Sequence, residues 1–148
     1  MAKSSNHLLK SLFFKRSFLV SFSIYLIFLS ACNTSSVNTF IDYRRVGGLI
    51  NFDDHLLIDL DGNTNITRRN KSCEIVLANE EMNKLKETFE NALFSELDKE
   101  YLPQDQGGDL IEYTIVYEGR TVKTKDGTVP DALWPPLEML NQLLERCS

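Results

Sequence analysis

From residue 40 onward, the apolar positions fall into short alternating runs, broken twice by helical spacing. Phe40 to Val46 mixes β-branched and aromatic residues and predicts a strand, which Gly47-Gly48 ends. Leu49, Ile50 and Phe52 then put apolar side chains where a loop is expected, either as a binding tip or as a cap on the core. His55 to Asp61 alternates, with Leu56, Ile58 and Leu60 on one face and His55 and Leu57 on the other. Asp61-Gly62 is a hairpin signal, Thr64 to Arg69 is the returning strand, and Cys73 to Leu77 reads as one more. Asn79 is the expected N-cap of a helix with Glu80 and Glu81 in its first turn. Met82, Leu85, Phe89, Ala92 and Leu93 form its apolar stripe, which Phe94 and Leu97 extend.

Tyr101 to Gly108, with a proline and paired glycines, reads as a loop. Ile111, Tyr113, Ile115 and Tyr117 then alternate cleanly, Glu118-Gly119 turns the chain, and Arg120 to Thr124 returns. Leu133, Leu137, Leu140, Leu144 and Cys147 recur at spacings of four and three, one face of a last helix. Pro130 suits its start, while Pro135-Pro136 place the first regular turn later, and Trp134 beside them is expected to pack inward, the alternative being a recognition surface. The predicted order is β-β-β-β-α-β-β-α. It describes an α+β domain over residues 40–148, with a mostly antiparallel sheet of about six strands and two helices on one side.

The first 31 residues follow another pattern. Lys3, Lys10, Lys15 and Arg16 precede the apolar run Phe18 to Leu29, and no acidic residue interrupts it. These are the parts of an export signal, and the run is short of the ~20 apolar residues that span a bilayer. An uncleaved anchor is the alternative, since Leu12 to Phe14 adds apolar length upstream. Leu29-Ser30-Ala31-Cys32 resembles the lipobox of bacterial lipoproteins. The resemblance implies that residues 1–31 are removed, that Cys32 carries the lipid, and that residues 32–39 tether the domain to a membrane of the cell envelope. Several acyl chains on one residue anchor stably where a single chain binds only marginally.

Charge and cysteine content narrow the functional classes. The whole chain carries a formal charge of −5, and loss of the basic leader makes the remainder four charges more negative. So acidic a domain argues against nucleic acid as a partner. With Cys32 acylated, Cys73 and Cys147 are an even pair in an oxidising compartment. They form either a bridge or two separate buried thiols, and the place of Cys147 on the apolar helix face favours the bridge. Closing so long a loop is worth roughly 4 kcal/mol in the chain-entropy model.

No residues are assigned to catalysis. His55 has no nucleophile motif near it, and no phosphate loop, dinucleotide fingerprint or zinc-protease motif occurs. In an EF-hand register that makes Gly62 the glycine, Leu57 and Arg68 fall at ligand positions, so the acidic run Asp59 to Asn63 reads as a turn. The chain is read as a non-enzyme with no cofactor, metal or small-molecule substrate.

One further resemblance covers residues 43–144. Arg45-Val46-Gly47-Gly48, Ala92 to Leu97, Asp109 to Ile115, Asp126 to Pro130, then Leu133 and Leu137 are similar to the emfourin family, inhibitors of protealysin-type metallopeptidases. The resemblance implies the same α+β fold and a metallopeptidase partner met through Gly47, Gly48, Leu49 and Ile50. This chain departs from the family pattern at Leu49-Ile50-Asn51, and the leader and acidic hairpin are additions. The alternative is an envelope lipoprotein with a binding or structural role and no peptidase partner.

Overall fold

A computed structural model describes residues 39–104 and 109–147. The leader 1–31, Cys32, the tether to residue 38 and the glycines 107–108 lie outside the described residues.

Seven strands form one sheet: β1 Thr39–Gly47, β2 Phe52–Asp59, β3 Asn63–Arg68, β4 Lys71–Val76, β5 Glu100–Tyr101, β6 Ile111–Tyr117 and β7 Arg120–Lys125. Helix α1 spans Asn79–Asn91 and helix α2 spans Trp134–Leu144. The strand order is β4-β3-β2-β1-β6-β7-β5. Neighbours pair antiparallel except β5, which lies parallel to β7. The α+β class and antiparallel character therefore stand, with one strand more than the alternation predicts. That strand is β5, two residues long inside the expected loop, where so short a stretch has no periodicity to read.

The alternating residues meet across the sheet as their pattern requires. Ile41 faces Ile58, Tyr43 faces Leu56, and on the other flank Tyr43 faces Ile115. All five are buried against the helices. From α1, Phe89 stacks on Tyr117 with centroids 4.4 Å apart, and Phe94 and Phe40 close on Tyr117 edge-on. Burial pushes the Tyr117 hydroxyl from its ordinary 10.0 to about 12. From α2, Leu137, Leu140, Leu143 and Leu144 complete the core, each contributing about 2 kcal/mol by area. Cys73 of β4 and Cys147 lie at disulfide distance, with Cα atoms 6.0 Å apart and 74 residues between them in sequence.

The opposite sheet face is uncovered among the described residues and more polar. There His55 Nε2 lies 2.8 Å from the Asp42 carboxylate, beside Arg44, Leu57 and Val116.

Four local expectations are corrected. Ala78, not Asn79, is the N-cap of α1, and its N–H donates to Glu81 Oε2 at 2.9 Å, so the acidic side chain reaching back replaces an Asx cap. Leu93 leaves the stripe: its φ of 48° reverses the chain and leaves it exposed, so that Phe94 can turn into the core. Leu60 is exposed because β2 ends one residue earlier, at Asp59. Trp134 is half exposed at the first position of α2, while Leu133 and Leu137 take the inward positions and are fully buried.

Candidate functional site

The connection between β1 and β2 projects from one end of the sheet, and its shape follows from two glycines. Gly47 has φ 90° and Gly48 φ 72°, backbone that favours glycine. A Cβ on Gly47 would stand 2.8 Å from the Leu110 carbonyl oxygen, and one on Gly48 would stand 2.8 Å from Ile111 Cγ1. The glycines thus let the loop lie directly against the start of β6.

Three bonds then fix the tip. Gly48 N–H donates to the Leu110 carbonyl at 3.3 Å, Asn51 N–H donates to the Gly48 carbonyl at 2.9 Å, and the Arg69 guanidinium donates to the Ile50 carbonyl. Leu49 and Ile50 are left outside, 86% and 59% exposed. Leu49 and Ile50 therefore do not cap the core. All four of Gly47, Gly48, Leu49 and Ile50 lie together on it.

Beneath the tip is a buried polar cluster. Arg45 and Asp54 are direct cross-strand partners and both point into the protein, 7% and 2% exposed. Arg45 Nε donates to Asp54 Oδ2 at 3.1 Å, and Arg45 Nη1 donates to Asn141 Oδ1 at 3.0 Å. The Tyr43 hydroxyl reaches the same Asn141 oxygen at 2.8 Å, and burial pushes that hydroxyl well above its ordinary range. The Arg45 guanidinium also lies 4.0 Å over the Phe52 ring. Arg68 sits 3.8 Å from Asp54 and donates to Glu145 Oε2 at 2.9 Å. Each buried charge therefore has a partner, the condition under which such a pair survives desolvation. On the β6 side, Asp126 accepts the Tyr113 hydroxyl at 2.8 Å and the Ile111 N–H at 3.1 Å, fixing the strand start that carries the Leu110 carbonyl.

An open groove of about 460 Å³ runs beside the tip, lined by Ile50, Phe52, Arg68, Arg69, Asn70 and Lys71, with Asp54 and Cys147 at its base. A second, shallower one of about 350 Å³ flanks Trp134 on α2. Among the described residues no group of three His, Cys, Asp or Glu side chains is arranged to hold a metal. His55 is bonded to Asp42 on the uncovered face, away from both grooves. The tip thus presents two exposed apolar side chains on a hydrogen-bonded support.

The sequence reading brought the four tip residues together but missed the Arg45–Asp54 pair. Its signal was present: Arg45 continues the inward register of Ile41 and Tyr43, and Asp54 continues that of Leu56 and Ile58. Comparison of the chain with protein-family models and with curated proteins finds no match.

Proposed function

We propose that this chain is an exported lipoprotein, held at a membrane of the cell envelope through lipid on Cys32, that inhibits a thermolysin-type metallopeptidase with its β1–β2 tip. The observation that carries the proposal is the pair Leu49 and Ile50, exposed on a turn whose backbone is held by Leu110 and Arg69 from outside and by one bond of its own. A support fixed before binding loses little entropy on docking, so two apolar side chains are enough to anchor it. Leu or Ile suits the apolar pocket that a thermolysin-type peptidase presents to its substrates. The positive φ angles at Gly47, Gly48 and Asn51 keep the segment turned. A peptide cut productively lies extended in the cleft, so this one would occupy the site without being cleaved.

The same reading takes Cys73–Cys147 as a structural disulfide, formed after export. It assigns no catalytic role to any residue.

Titration of the processed chain, from lipidated Cys32 and in non-ionic detergent, against a thermolysin-type peptidase and an unrelated serine peptidase tests the proposal. Selective, saturable inhibition of the metallopeptidase is expected. Replacing Leu49 and Ile50 together by Ser should abolish it, a loss of at least a hundredfold, with an unchanged circular dichroism spectrum. A folded wild-type sample that inhibits neither enzyme would leave an envelope-binding lipoprotein with a different partner.

A further inference from the structure

We infer that the groove beside the tip receives an acidic, leucine-bearing segment of the partner protein. The inference rests on the reading of the tip as the docking element, and adds the chemistry of what lies next to it. The domain as a whole is acidic, yet this groove is lined by Arg68, Arg69 and Lys71 together with the apolar side chains of Ile50 and Phe52.

The charges do not cancel locally. Asp54 is committed to Arg45 and lies near Arg68, and Glu145 is bonded to Arg68. Arg69 meets a carbonyl rather than a carboxylate, and Lys71 is exposed with no ion pair among the described residues. Two cations therefore face the groove without a counter-charge, next to apolar surface. A volume of about 460 Å³ admits a few side chains, not a bare ion. A carboxylate paired with Arg69 and Lys71 while a neighbouring leucine covers Phe52 would use both halves of the site. A basic or purely apolar segment would leave the cations unpaired as they lose water.

Salt is a poor readout here, because it screens both the local attraction and the repulsion between an acidic domain and an acidic ligand. Charge reversal separates them. The probes are two pools of acetylated, amidated hexapeptides, one of Asp, Glu and Leu and one of Lys, Arg and Leu. Each is titrated into the full chain in non-ionic detergent, followed by anisotropy and backbone amide shifts. The acidic pool should bind saturably, shift the amides of Arg69, Asn70 and Lys71, and bind about tenfold more weakly to Lys71→Glu. No binding, equal binding of the basic pool, shifts elsewhere, or an unaffected Lys71→Glu would each overturn the inference.

The peptidase assay keeps the two readings apart. Inhibition lost in Leu49→Ser but intact in Lys71→Glu overturns the groove and leaves the tip standing. Binding of the acidic pool without inhibition of any metallopeptidase sinks the inhibitor reading and keeps the groove.

Discussion

The turns at the two ends of β2 each lift a leucine into solvent, and they are held there in opposite ways. Leu49, on the tip before β2, is 86% exposed, and Leu60, on the turn after it, is 59% exposed. The later turn is held mainly by its own residues, with one bond from outside, Leu77 N–H to the Gly62 carbonyl at 2.9 Å. The Asp59 carboxylate accepts from Asp61 N–H and Asn63 N–H, both at 2.9 Å, and from the Asn63 side chain at 2.8 Å. The tip has one bond of its own, Asn51 N–H to the Gly48 carbonyl, and borrows the rest from Leu110 and Arg69, distant in sequence, and from the flanking Arg45–Asp54 pair, itself held by Asn141. The later turn therefore draws most of its bonds from within a few residues, whereas the tip rests chiefly on β6, on Arg69 and, through the Arg45–Asp54 pair, on α2. The same exposure of a leucine therefore has different meanings. At the turn it is a by-product of chain reversal, and at the tip it is the result of a support drawn from three other parts of the fold.

Removing those supports should break the contrast, most strongly at the deepest one. Asp54→Ala leaves the Arg45 guanidinium buried without its carboxylate and should cost about 3 kcal/mol, read as a lower midpoint in urea denaturation. Inhibition should fall with it even at temperatures where the protein stays folded. Gly47→Ala comes next, at about 2 kcal/mol, because the new Cβ meets the Leu110 carbonyl and the φ of 90° is strained for any L side chain. Amide exchange should then speed up at Asn51 while the amides of Asp61 and Asn63 keep their protection.

The smallest effect belongs to Asp59→Ala, which removes the internal bonds of an exposed turn. Its pH dependence sharpens the comparison. The Asn63 side chain above all, with the backbone amides of Asn63 and Asp61, holds the Asp59 carboxyl below its ordinary 3.8. With the folded value depressed, its stabilisation is complete above the ordinary range and is lost as pH falls through the folded value. Acid titration should therefore release the Asp61 and Asn63 amides at a pH where the Asn51 amide is still protected, and Asp59→Ala should abolish that step. Loss of protection at all three amides together would show that the turn does not open independently of the tip.

This difference in support also explains what the sequence made legible. The Asp61-Gly62 turn could be read because its determinants are adjacent in the chain. The strands could be read because Leu56, Ile58, Ile111, Tyr113, Ile115 and Tyr117 repeat with the pleat. The same register also placed Arg45 and Asp54 inward, but a charge in an apolar pattern looks like an interruption until its partner is known. β5 escaped notice because its one ladder depends on β7, some twenty residues further on, and not on its own two side chains. The exposure of Leu93 follows from a left-handed chain reversal just past α1, and that of Trp134 from its place at the first position of α2, beside the fully buried Leu133 and Leu137. Helical periodicity encodes neither. For the tip, the residues were legible and their exposure was not, since Leu49 and Ile50 could equally have folded back over the sheet.

The two glycines under the tip have a consequence for how such a protein can change over generations. Because Gly47 and Gly48 have no room for a side chain, variation at either one disturbs the frame. Leu49, almost free of contacts with its own chain, can be exchanged without disturbing anything. Substitution at the tip is thus tolerated by the frame at Leu49 and Ile50 rather than at the glycines. A lineage could retarget this surface to a new partner by trading a residue or two while the fold beneath passes unaltered, much as a tool keeps its handle and changes its bit.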